Sequence, residues 1–113
     1  MTSLHMYSHI GKMFDREGNL IPDKKTYGDR VVDESYWRVA ADQRNGIFIS
    51  TRWIGTDLAK GISPHPFIFE TVMFEVGDPA DTFYAEYSPS EELAMLAHRR
   101  AVRYAEQSRR TDT

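Results

Sequence analysis

Residues 67–76, Phe67-Ile68-Phe69-Glu70-Thr71-Val72-Met73-Phe74-Glu75-Val76, leave this chain few options. Large apolar side chains fall on both parities: Phe67, Phe69 and Met73 on one, Ile68, Val72, Phe74 and Val76 on the other. A strand with that pattern is expected at the centre of a sheet, covered on both sides. From Phe67 to Phe74 it carries one carboxylate, Glu70, where an aliphatic residue would be expected. Ahead of it, Arg52-Trp53-Ile54-Gly55-Thr56-Asp57 ends another strand, and a loop holding Lys60, Gly61, Ser63, Pro64, His65 and Pro66 joins the two.

The partner strands follow from periodicity and turn chemistry. Residues 36–43 alternate Trp37, Val39 and Ala41 with Arg38, Ala40 and Asp42, the period of a half-buried strand. Arg44-Asn45-Gly46 is the turn, and residues 47–54 form the return strand. A two-residue Asn-Gly loop would pair Arg44 with Ile47 and set an apolar face beside a polar one. A three-residue loop with Gly46 in the left-handed region pairs Gln43 with Ile47, Ala41 with Ile49 and Trp37 with Trp53. It aligns both apolar faces, so the longer loop is expected. Arg38 then lies opposite Arg52, an unfavourable cross-strand pair unless an acid, solvent or a bound anion screens it. Asp42, Glu70 and the phosphates of a ligand are the candidate partners.

Glu17-Gly18-Asn19 predicts a small hairpin over residues 14–21, and residues 22–33 read as a surface loop or an irregular helical turn. After a turn at residues 77–81, residues 82–87 form a last short strand. A helix follows, with Ser88 as N-cap, Pro89 first and Glu91 third. Its core stripe is expected to hold Leu93, Ala97, Ala101 and Tyr104, with Ala94 and Leu96 beside it. Met95 and Val102 are expected on the outer face, an apolar pair that favours a homo-oligomer. The chain's 113 residues suit one domain with one modest core. The hairpin and loop take residues 1–35, the main sheet 36–87, the helix 88–108 and a polar tail 109–113. The expectation is an α+β fold: an antiparallel sheet of four or five strands with the C-terminal helix packed on one face.

Composition removes several functions. There is no cysteine, hence no disulfide, thiolate metal site or thiol nucleophile. The net charge of -3 disfavours duplex nucleic acid as the main partner. No stretch reaches the roughly 18 apolar residues of a membrane span, and no signal peptide is expected. The chain has neither a Gly-x-Ser-x-Gly elbow nor a phosphate loop. His5, His9, His65 and His98 with Asp57 are too scattered to predict a metal site, so no metal and no cofactor is expected. Asp57, Glu70 and His98 are the set a small hydrolase would need, whereas Glu70 alone reads as a structural acceptor. Trp53, at a strand end beside two arginines, reads either as core or as a stacking platform for a base.

The block Arg52-Trp53-Ile54-Gly55-Thr56-Asp57, the loop with Pro64 and Pro66, and residues 67–74 resemble a widespread family of small, mostly phage-encoded proteins without an assigned activity. In that family a Trp-Leu-Gly-Leu-Asp strand end leads into a Phe-Glu-Thr-Met-Val-Phe strand. Phe14-Asp15-Arg16-Glu17-Gly18-Asn19, Trp37-Arg38-Val39-Ala40 and Tyr87-Ser88 with Glu91, Glu92, Ala94 and His98 are similar to its flanks. Leu58, Ile62-Ser63-Pro64-His65 and the order of Val72 and Met73 depart from the pattern. The match carries over Trp53, Gly55, Asp57, Glu70, Thr71 and His98 as site positions. The resemblance implies a phage accessory protein acting in the cytoplasm of the infected bacterium against host defence. The expected activity is non-enzymatic sequestration of a small anionic ligand, such as a cyclic nucleotide signal. Arg38 and Arg52 would hold phosphate, Trp53 would stack on the base, and Asp57 or Glu70 would accept from base or ribose. The alternatives are a protein–protein inhibitor of a host enzyme and the hydrolase above.

Overall fold

The computed structural model of the chain describes residues 8–108. Residues 1–7, His5 among them, and residues 109–113 lie outside these. In chain order the elements are β1 (Met13–Phe14), β2 (Leu20–Ile21), α1 (Lys24–Val31), α2 (Glu34–Trp37), β3 (Arg38–Arg44), β4 (Ile47–Trp53), β5 (Phe69–Glu75), β6 (Thr82–Ser88) and α3 (Glu91–Gln107). β1 and β2 form the expected hairpin; β3 to β6 form one antiparallel sheet in sequence order, and α3 packs on one face of it. The α+β expectation holds.

Local capping explains the first third. Asp15 Oδ1 accepts from the N–H groups of Glu17 (3.0 Å) and Asn19 (2.8 Å), closing the hairpin turn. Of the two readings for residues 22–33 the helical one holds, as a regular helix of eight residues and not a single irregular turn. Asp23 caps α1 by accepting from Thr26 N at 2.8 Å, and Asp33 caps α2 by accepting from Ser35 N at 3.1 Å. α1 buries no residue, so it carries no amphipathic stripe by which periodicity could find it. Tyr36 and Trp37 belong to α2, and β3 starts only at Arg38.

The turn between β3 and β4 has two residues, not three: Arg44 pairs with Ile47. Asn45 (φ 52) and Gly46 (φ 77) both take the positive φ that such a hairpin turn requires. Polar partners reverse the hydrophobic argument. Asp42 and Arg44 now sit beside Ile49 and Ile47, on the face that α3 covers, where Asp42 meets His98 and Arg44 meets Glu106. Asn45 Nδ2 also donates to the α3 carbonyls of Ala105 (2.8 Å) and Glu106 (3.1 Å), closing the helix end. A bulge at Val39 then shifts the register by one, so Arg38 is opposite Arg52 after all.

Ser88 ends β6 rather than capping a helix. It pairs with Phe69, its carbonyl accepts from Ile68 N, and Ser90 Oγ accepts from Leu93 N instead. α3 therefore starts two residues late, and of the expected stripe Ala97 and Ala101, with Ala94 beside them, are the ones that face the sheet. Ala94, Ala97, His98, Ala101 and Ala105 are buried, whereas Leu93, Leu96 and Tyr104 lie outside, 40–55 % exposed. Small side chains let the helix approach the sheet closely; leucines there would hold it off. Met95 and Val102 are half-buried, and Val102 packs on the core, so they are not an exposed pair.

The core has two parts. Phe14, Ile21, Trp53, Ile68, Phe69 and Ala94 form one, with Tyr27, Tyr36 and Val39 against it; Ile47, Ile49, Met73, Ala101 and Ala105 form the other. Trp53 is 2 % exposed. Its ring lies edge-on to Tyr36 (5.0 Å between centroids) and beside Tyr27 (5.6 Å), and its Nε1 donates to the Phe14 carbonyl at 2.9 Å. β5 is internal as expected but covered on one face only. Phe69, Thr71 and Met73 are buried, while Glu70, Val72 and Phe74 keep partial exposure.

Gly55 ties the hairpin to this core. Its carbonyl accepts from Phe14 N at 2.8 Å, and its φ is +87. A Cβ there would meet Trp53 Cζ2 at 2.5 Å and Tyr27 Cε1 at 2.8 Å, both rigid rings. Gly55→Ala is therefore expected to destabilise the fold by about 3 kcal/mol or more through strain and overpacking. Urea unfolding would check this: a loss below about 0.5 kcal/mol, the level of an ordinary surface change, would contradict the packing described.

Candidate functional site

The eight residues singled out from sequence, Gly55 among them, do not converge. The structure divides them among the open face of the sheet, the covered face, the core and a loop.

Arg38, Arg52 and Glu70 come together on the open face. Arg38 and Arg52 are cross-strand partners, and Glu70 is opposite Arg52 on the other side. Arg52 donates from Nη2 (3.0 Å) and Nε (3.2 Å) to one oxygen of Glu70, while Arg38 donates from Nε to Glu34 at 2.7 Å. These bonds use one nitrogen of Arg38 and two of Arg52; other guanidinium N–H groups remain for a ligand. Arg38 also stacks its guanidinium 5.0 Å from the centre of the Trp37 ring. Beneath lies a shallow concavity of about 410 Å³, floored by Phe48, Val72 and Phe74 and reaching Trp37 and Ser50. The rings of Phe48 and Phe74 are 5.2 Å apart. The site is thus an apolar floor with a cationic, partly neutralised rim.

Thr71 and His98 belong to the opposite face, in a buried polar chain. Thr71 Oγ1 is 2.7 Å from Thr51 Oγ1, Thr51 Oγ1 is 2.7 Å from His98 Nδ1, and His98 Nε2 is 2.8 Å from Asp42 Oδ2. A carboxylate only accepts, so the Nε2–H of His98 donates to Asp42. In the neutral ring Nδ1 then accepts from Thr51, whose oxygen accepts from Thr71. The order hydroxyl, imidazole, carboxylate is that of a nucleophile relay. Yet Thr51 and Thr71 have no exposed surface and His98 only 2 %, so no substrate atom reaches the hydroxyl. The chain instead pins α3 to β3, β4 and β5. Asp42, expected beside the arginines, lies on the other face because the two-residue turn changes its register; a histidine amid helix alanines is the sequence signal of a buried partner.

Asp57 organises the loop after Trp53. Oδ1 accepts from Ala59 N (3.0 Å) and Phe67 N (2.9 Å), and Oδ2 from Gly61 N (2.7 Å). Burial alone would push this carboxyl up, but the N–H groups of Phe67, Gly61 and Ala59, with His9 nearby, hold it below the usual carboxylate range. Trp53 is a core residue, so the stacking role expected of it is closed to a ligand. Asp57, Glu70 and His98, the hydrolase set, occupy three separate places and share no hydrogen bond among the described residues. No described group of three or more His, Asp or Glu side chains is arranged to hold a metal.

Two outcomes follow. His98→Ala strands Thr51 and Asp42 and leaves a void under α3, and is expected to cost about 2–4 kcal/mol in denaturant unfolding; a neutral result would show that the chain is not holding the helix. The Asp57 contribution is fully present above the ordinary carboxylate pKa of about 3.9. It fades as pH falls through the lower folded value. Asp57→Asn should therefore cost about 1–2 kcal/mol at neutral pH, with the gap to wild type closing in acid. A gap that does not shrink in acid would contradict this sign.

Comparison with protein-family models, with curated proteins and with solved structures gave no match.

Proposed function

We propose that the open face of the sheet binds a small planar anion of the nucleotide class and holds it without transforming it. The observation that carries the reading is the direct juxtaposition of Arg38 and Arg52 at the rim of an apolar concavity. Like charges opposite each other destabilise a sheet, and a phosphate between them would relieve that repulsion while using the guanidinium N–H groups left over from Glu34 and Glu70. Trp37, Phe48 and Phe74 take over the stacking role expected of Trp53. Glu70 is the one carboxylate lining the concavity and is engaged by Arg52; general acid–base work would need a second group. With the resemblance to phage-encoded proteins, the reading is an accessory protein that sequesters a signalling nucleotide in the cytoplasm of the infected host.

Thermal unfolding against a panel of mono-, di- and cyclic nucleotides tests this. A ligand at a hundred times its dissociation constant adds about 2.7 kcal/mol to the folded state, a rise of roughly ten degrees or more in a domain of this size. The rise should vanish in Arg38→Gln and in Arg52→Gln, and the ligand should be recovered chemically unchanged after denaturation. No rise with any nucleotide would sink the reading and favour a host protein as partner. A rise that survives both substitutions would move the site elsewhere.

A further inference from the structure

We infer that the outer edge of β6, together with the outward stripe of α3, is a contact surface for a second copy of this chain, related by a two-fold axis through Ala85. β6 is the last strand of the sheet order, so one side of its backbone has no strand partner among the described residues. Such an edge, carrying neither Pro nor Lys, is a template for another strand. The pairing with β5 breaks at one point: Met73 is opposite Tyr84 and Phe74 is opposite Thr82, which leaves Phe83 as a bulge. The bulge turns two successive aromatic residues, Phe83 and Tyr84, to the helix side. There they line a groove of about 390 Å³ with Met73, Arg100 and Tyr104.

The described residues bury these rings only in part. Phe83 is 49 % exposed and Tyr84 37 %, beside Tyr104 at 55 %, and on the same helix Leu96 is 40 % exposed. With Leu93 these side chains present on the order of 400 Å² of surface, about half of what one partner contributes to a standard interface; the strand backbone and the flanking charges make up the rest.

The charges select a second copy. Arg100 donates to Glu86 at 2.5 Å, and Tyr84 also donates to Glu86. Around Ala85 the strand carries a donor one residue before and an acceptor one residue after. An antiparallel two-fold pairing through Ala85 sets Tyr84 of one copy opposite Glu86 of the other. It also brings Arg100 and Glu86 of both copies into an alternating set. Self-complementarity of this kind is what a two-fold contact needs, and an unrelated strand would have to supply it independently. The result is a continuous eight-stranded sheet, four strands from each copy, with both α3 helices on one face.

Light scattering on a size-exclusion column should give twice the 13.1 kDa chain mass. The mass should halve in the double variant Phe83→Lys, Leu96→Lys, whose circular dichroism should stay that of wild type because both side chains are exposed. The chain has no cysteine, so Ala85→Cys introduces a single thiol. Directly opposed strand positions lie about 4.5–5.5 Å apart between Cα atoms, within disulfide reach, so mild oxidation should link the two copies nearly completely. A wild-type monomer at high micromolar concentration would overturn the inference. So would a dimer that persists in the double variant, or an Ala85→Cys dimer that mild oxidation fails to cross-link.

Discussion

The close seat of α3 on the sheet, through four alanines and one histidine, is the contact on which the rest depends. An alanine face brings helix and strands near enough for His98 to reach Thr51 on one side and Asp42 on the other. The resulting polar chain runs between the two apolar parts of the core. Its members are satisfied: no buried side-chain nitrogen or oxygen among the described residues lacks a partner. A chain of this kind is strong only when complete, since an unpaired polar group in a low-dielectric interior is costly. Helix rotation, the register of β3 and the two-residue turn therefore stand together.

The same seat decides what is left outside. With alanines inward, Leu93, Leu96 and Tyr104 stay exposed, and the bulge at Phe83 adds aromatic surface beside Tyr104. One helix covers one face. The other face keeps Phe48, Val72 and Phe74 partly exposed, with the arginines at its edge. Both surfaces proposed for binding are consequences of one packing choice: a slim helix close to the sheet.

The block that looked most functional is largely architectural. Trp53 fills the core and holds the hairpin through the Phe14 carbonyl, Gly55 leaves room for two rings, and Asp57 gathers three backbone N–H groups into the loop. Arg16 completes the arrangement: it donates to Glu91 through two nitrogens (2.9 and 2.6 Å) and to the Tyr36 carbonyl (2.8 Å), joining hairpin, α2 and α3. The Glu91 carboxylate raises the Arg16 pKa against the lowering effect of burial. A dense motif of Trp, Gly and Asp thus reflects the demands of a tight loop entering a central strand, and its Arg52 and Glu70 reach the open face together with Val72 and Phe74.

Local rules were legible in the sequence. The hairpin, the strands around residues 47–54 and 67–76, the C-terminal helix and the α+β class follow from turn residues and periodicity, which act over a few residues. The pairing of Arg38 with Arg52 was legible too, though through the wrong turn: the structure reaches it with a two-residue loop and a bulge. What the sequence could not decide depended on partners far along the chain. Asp42 turns inward because His98, 56 residues later, awaits it. Ser88 stays in the strand because Phe69 pairs with it. The helix shows alanines rather than leucines to the sheet because close approach, histidine bonding and burial are weighed together, and no stripe counted along one helix contains those terms. Tertiary structure alone set which faces were closed and which were left open.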